Sequence, residues 1–112
     1  MTDFLIILTN TNSKEEAQRI ASVLVNQRLA SSVNIIGPIT STYRWQDAIV
    51  NAEEWLCLIK THKDRYNEIE QFIQATHSYE VPAIIALPVV AGSQSYLEWI
   101  LHETKTGTDR IE

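Results

Sequence analysis

The chain has 112 residues, 45% of them hydrophobic, and a formal net charge of −5, so it has the size of one globular domain and lacks the basic stripe a nucleic-acid surface needs. No apolar run approaches the roughly 20 residues of a membrane-spanning helix, and the single cysteine, Cys57, excludes an internal disulfide framework. Met1-Thr-Asp-Phe-Leu carries no basic segment ahead of its apolar run, and Phe4 to Leu8 is short for a signal peptide, so the expected location is the cytoplasm.

In chain order, Phe4 to Leu8 reads as a strand with both faces apolar, and Thr9 to Asn12 as a polar break. Ser13-Lys-Glu-Glu16 has the capping-box pattern, in which a hydroxyl and a carboxylate satisfy the first free amides of a helix. Ala17, Ile20, Ala21 and Leu24 follow at helical spacing, with an end expected near Leu29 or Ala30. Val33 to Ile36 begins a second strand. Gly37-Pro38 predicts a bulge or bend in it, because proline donates nothing to a ladder, and Ile39, Ser41, Tyr43 and Trp45 then share a face.

Gln46 to Ala48 reads as a hairpin connection without a strong turn dipeptide, leading into a third strand from about Ile49 to Lys60. This strand sets Trp55, Cys57 and Ile59 on one face and Leu56 and Leu58 on the other. A helix from roughly Lys63 to Thr76 carries the stripe Tyr66, Ile69, Phe72 and Ile73. Val81 to Val90 is a fourth strand flanked or interrupted by Pro82 and Pro88. Ser93 caps a last helix with Tyr96, Leu97, Ile100 and Leu101 inward, which Thr106-Gly107 ends, leaving a loose tail from Thr108 to Glu112. The order β-α-β-β-α-β plus a helix is an α+β, ferredoxin-like arrangement in a single domain.

Two crossover helices cover one face of such a sheet, yet most of the strands are apolar on both faces. A contiguous apolar patch of several hundred Å2 marks an interface, so a homo-oligomer with sheet faces turned inward is expected. The competing arrangement folds the last helix over the open face, and a helix of that length covers only part of it.

The chemistry-bearing residues cluster at strand ends. His77, between a helix and a strand, reads either as a helix-end histidine near free carbonyls or as a ligand or proton-handling group in a cleft. Tyr43, Trp45 and Tyr79 either pack an interface or line a cleft. Glu54 and Lys60 share a face of the third strand but stand too far apart to pair, and Arg44 faces solvent. Cys57 reads as a buried structural thiol. His62 and His102 are not at metal-motif spacing with His77, no serine has a triad pattern, and only Gly37, Gly92 and Gly107 are available, so no phosphate loop exists. No enzymatic reaction is expected.

Five segments stand in a telling order: Leu29-Ala-Ser-Ser-Val-Asn-Ile35, Ser41-Thr-Tyr-Arg-Trp45, Glu54 with Ile59-Lys-Thr61, His77-Ser-Tyr-Glu-Val-Pro82 and Tyr96-Leu-Glu-Trp99. Together they resemble the CutA family of divalent-cation tolerance proteins over about Phe4 to Leu101. The resemblance implies a tight homotrimer similar in architecture to PII signalling proteins, and an association with tolerance to copper and other divalent cations. No cofactor is required on this reading, and any copper or other divalent cation is expected to bind weakly; neither a membrane nor a nucleic acid is an expected partner. Its ligand-cleft candidates are Tyr43, Trp45, Glu54, Lys60, His77, Tyr79 and Glu80. His77 is the one transferable metal ligand, because Ser32 stands where the family commonly has a cysteine, and a hydroxyl is a poor ligand for copper or zinc. Ser78, Ala83 and Asp47 likewise replace the usual proline, acid and glycine. The alternative is a PII-like adaptor that binds a small molecule or protein in clefts between subunits.

Overall fold

Alternation of side chains, continued past the expected polar break, makes the first strand longer than its apolar run. In the computed structural model, which describes residues 3–105, strand β1 spans Phe4–Thr11. Ile7, Thr9 and Thr11 are buried on one face. The two threonines are β-branched and carry the pleat onward where polarity alone predicted a break. The Thr11 hydroxyl then donates to the Ser13 carbonyl at 2.7 Å as the chain turns.

Helix α1 (Lys14–Asn26) starts where expected, with Ser13 Oγ accepting the Glu16 N–H at 3.1 Å, and it buries Ala17, Ile20 and Leu24. The Glu16 carboxylate does not complete the capping box; it bonds residue 78 instead. The helix stops three residues before the expected Leu29. Arg28 adopts φ 61°, the Arg28 N–H donates to the Val25 carbonyl at 3.1 Å, and the Leu29 N–H donates to the Leu24 carbonyl at 2.9 Å. This is a Schellman closure made with arginine in the position glycine usually takes, so the sequence carries no visible stop signal.

Strands β2 (Ser32–Trp45) and β3 (Ala48–His62) form a long hairpin joined by Gln46 and Asp47, at φ 49° and 65°. Both central residues at positive φ define a two-residue turn whose twist matches its strands, again without the usual glycine. The expected irregularity at Gly37-Pro38 is a register shift between Ile36 and Ile39, across a cis Gly37–Pro38 bond. Beyond it, Ile39 pairs with Glu54 and Tyr43 with Val50.

A 3-10 turn (Lys63–Arg65) leads into helix α2 (Tyr66–Thr76), whose Ile69 and Ile73 are buried while Tyr66 and Phe72 pack at the edge of the core. The fourth strand is a correction: β4 covers only Ile85–Pro88, not Val81 to Val90. Upstream of it, His77, Ser78 and Tyr79 are tied by hydrogen bonds to β1, α1 and β3, described below. Helix α3 (Gln94–Glu103) is capped by Ser93 Oγ, which accepts the Tyr96 N–H at 3.3 Å. Of the expected inward stripe only Ile100 is buried; Tyr96 and Leu101 are exposed. The helix ends at Glu103, with Thr104 as its cap. The expected terminator Thr106-Gly107 and the tail from Thr108 lie outside the described residues.

The sheet order is β2-β3-β1-β4 with every neighbour antiparallel. Each helix therefore connects two strands with a third between them, the split βαβ arrangement. Ile7, Cys57 and Ile59 from the sheet meet Ala17, Ile20 and Leu24 of α1 and Ile69 and Ile73 of α2 in one core. The register sets Ile6, Leu8, Ile36, Leu56, Leu58, Ile85 and Leu87 on the opposite face. Ile36, Ile85 and Leu87 are 48%, 56% and 46% exposed there. Helix α3 approaches β3, but its buried Ile100 is not part of the main core, and these three side chains remain in solvent.

Candidate functional site

The segment that follows α2 crosses the C-terminal end of β1, and a chain of polar contacts fixes it there. His77 closes α2, its N–H donating to the Ile73 carbonyl at 2.9 Å. Its ring is buried. Nδ1 accepts the Tyr79 N–H at 3.0 Å, which assigns the ring proton to Nε2, and Nε2 donates to the Asn10 carbonyl at 2.6 Å. Glu16, 4% exposed, accepts the Ser78 N–H at 2.8 Å and the Ser78 hydroxyl at 3.0 Å, and its Oε2 lies 3.8 Å from His77 Nδ1. The first turn of α1 and the β1 backbone thus hold the loop from two sides.

Tyr79 is aimed by this anchoring. Its ring lies 4.8 Å from the His77 ring, centroid to centroid, and its hydroxyl donates to Glu54 Oε2 at 2.6 Å. Burial, then the hydrogen bond to Glu54 and its charge, raises the phenol well above its ordinary range.

The result is an open cleft of about 730 Å3 between the loop and the turn-side half of the β2–β3 hairpin. Pockets of several hundred Å3 suit small molecules. Five of the seven expected residues line it: Tyr43, Trp45, Glu54, Tyr79 and Glu80. His77 stands behind the wall as the support of Tyr79 and is not itself a lining residue. Lys60 is elsewhere: it sits opposite Ile6 and Ser32 in the sheet and its ammonium donates to Asn34 Oδ1. Sequence reasoning missed Asn10, Ser41, Thr42, Ser78, Val81 and Ala83 as lining residues. It also missed the role of Glu16, whose local capping-box reading hid a partner 62 positions away.

The donor set here does not suit a resident metal ion. Both ring nitrogens of His77 are engaged, so a metal at either must open a hydrogen bond, and among the described residues no group of three His, Cys, Asp or Glu side chains converges. Ser32 Oγ is buried without a partner among the described residues, and a hydroxyl adds little soft-metal affinity.

Cys57 lies in the core, with its thiol raised to about 11 by burial first and the charge of Glu16 second. An unfolded thiol ionises near 9.0, so the unfolded state loses a proton that the folded state keeps. The stabilisation is fully present below pH 9 and falls as pH rises toward 11. Urea melts at pH 8 and 10.5 are expected to differ by about 2 kcal/mol more in the native chain than in Cys57→Ala. Equal pH dependence in the two would refute the assignment.

An antiparallel split-βαβ sheet with a long bulged hairpin, an apolar open face and a polar-anchored loop at the β1 end defines an α+β, ferredoxin-like chain of a particular type. The family described as CutA1 divalent ion tolerance protein matches residues 5–103. The divalent-cation tolerance protein CutA of Thermus thermophilus is 40% identical over 99 residues, covering 88% of this chain and 96% of that protein. Human protein CutA is 38% identical over 99 residues, 88% of this chain but 55% of the human one, so the chain spans about half the length of that relative. Among solved structures, CutA of Xylella fastidiosa superposes with a TM-score of 0.90 at 36% identity, covering 93% of this chain and 100% of that one. The Thermus thermophilus protein superposes at 0.88 with 39% identity, covering 91% and 99%. The chain belongs to the CutA1 divalent ion tolerance family.

Proposed function

We propose that this chain serves in divalent-cation tolerance, copper among the ions, as a homotrimer and not as an enzyme. The observation that carries the assembly is the apolar face of the sheet left in solvent, with Ile36, Ile85 and Leu87 each close to half exposed. At about 25 cal/mol per Å2, covering several hundred Å2 of such surface supplies on the order of 10 kcal/mol before the costs of association. Family membership supports the tolerance role. On this reading any copper binding at His77 is weak, because the ion competes with the hydrogen bonds to Asn10 and Tyr79.

Sedimentation velocity tests the assembly: a three-chain species is expected at micromolar concentration, and Leu87→Lys is expected to release single chains, since a buried ammonium at an apolar interface finds no partner. A native protein that sediments as one chain would sink the proposal. Calorimetric titration with copper tests the rest. Weak binding that His77→Ala reduces further is the expected result, and tight binding unaffected by that substitution would overturn the His77 assignment.

A further inference from the structure

The charge of the cleft is one-sided. Glu54 is 3% exposed, yet the only side-chain hydrogen bond its carboxylate has among the described residues comes from the Tyr79 hydroxyl. Glu80 lines the same cleft, and no lysine, arginine or histidine does among the described residues. His77 stands behind the wall, both of its ring nitrogens already engaged by Asn10 and Tyr79. A carboxylate withdrawn from water without a cation is unfavourable, so the site asks for positive charge. A phosphate or carboxylate ligand would meet only repulsion.

The walls decide which cation. Tyr43, Trp45 and Tyr79 line the cleft beside the carboxylates, and aromatic faces attract soft, weakly hydrated organic cations. A bare metal ion prefers several convergent donors, which the described residues do not offer. Asn10 also lines the cleft, and its buried Oδ1 has no donor among the described residues. We propose that the cleft binds a small organic ammonium ion, its charge balanced by Glu54 and Glu80 and its alkyl groups seated on Tyr43 and Trp45. The inference takes the cleft as a binding site but does not depend on tolerance or on the trimer, which sedimentation and copper titration decide separately.

Calorimetry of the full chain with choline chloride tests it, against its neutral isostere 3,3-dimethylbutanol and sodium chloride at matched ionic strength. Choline is expected to bind saturably, one per chain, and the isostere roughly tenfold more weakly or not at all. Glu54→Gln keeps an acceptor for the Tyr79 hydroxyl and removes the charge; it and Trp45→Leu are each expected to weaken choline by roughly tenfold. Should Glu54→Gln fail to fold, Glu80→Gln and Trp45→Leu carry the same reading. No saturable binding, equal binding of the isostere, or choline affinity untouched in Trp45→Leu overturns the proposal. So does binding that appears only after dilution to single chains, since a cationic side chain of a neighbouring copy would then be the occupant.

Discussion

Gly37→Ala is expected to lower the unfolding free energy by about 3 kcal/mol, the upper end of the usual cost of overpacking. A Cβ on Gly37 would lie 2.3 Å from Trp55 Cδ1, 2.7 Å from Cγ and 2.8 Å from Nε1. These atoms belong to the rigid body of the indole, so no flexible tip can yield; either the ring leaves its place at the core edge or β2 lifts from β3. Trp55 packs against the core that β3 shares with both helices, so the displacement reaches beyond the bulge. Shrinking the obstacle should relieve the damage: in a double-mutant cycle, Trp55→Val is expected to make Gly37→Ala much less costly. Urea denaturation measures both. A loss below about 1 kcal/mol for the single substitution would mean that the bulge tolerates a side chain and that glycine is not required there.

The second large effect is expected at Glu16. Glu16→Ala should cost about 2–4 kcal/mol, because it strands the Ser78 N–H and hydroxyl and removes a negative charge from the first turn of α1. Glu16→Gln, which keeps one acceptor oxygen but turns an amide donor toward donors, should cost less, about 1–2 kcal/mol. A second readout separates this electrostatic role from simple packing. The charge of Glu16 helps hold the Cys57 thiol at about 11, so either substitution should bring that thiol closer to its ordinary value. Thiol titration by absorbance checks it, and an unchanged Cys57 in Glu16→Gln would show that burial alone sets its value.

Much of this architecture was legible because it is written in periodicity. The parity of Trp55, Cys57 and Ile59 against Leu56 and Leu58, the Ile69 and Ile73 stripe, the Ser13 and Ser93 caps and the bulge at Gly37-Pro38 each follow from local rules that the tertiary structure leaves intact. What escaped notice depends on partners distant in sequence or on residues in unaccustomed conformations. Arg28 ends α1 without glycine, and Gln46 and Asp47 turn the hairpin without Asn-Gly. Residues 81–84 have a strand-like composition, yet the segment carrying them is committed to Glu16, Asn10 and Glu54 before it reaches β4. In the cleft, the aromatic and acidic residues were readable as unusual polar ends of apolar strands. The separation of Lys60 from Glu54, six residues along β3, was readable too; that the cleft gathers around Glu54 and leaves Lys60 out depends on the distant contact with Tyr79.

The shift between Ile36 and Ile39 gives the long hairpin two reading frames. Even-numbered residues of β2 face away from the helices before it, and odd-numbered ones share the side of Glu54 after it. The presentation of Tyr43 and Trp45 therefore depends on how many residues precede them as much as on what those residues are. Deleting the one extra residue would restore a continuous ladder with Ile39 still opposite Glu54 and both rings on the same side, whereas deleting two would turn both rings to the far side of the sheet. Length variation in this segment is thus a discrete, parity-governed control over whether the hairpin arm contributes aromatic walls to the cleft at all.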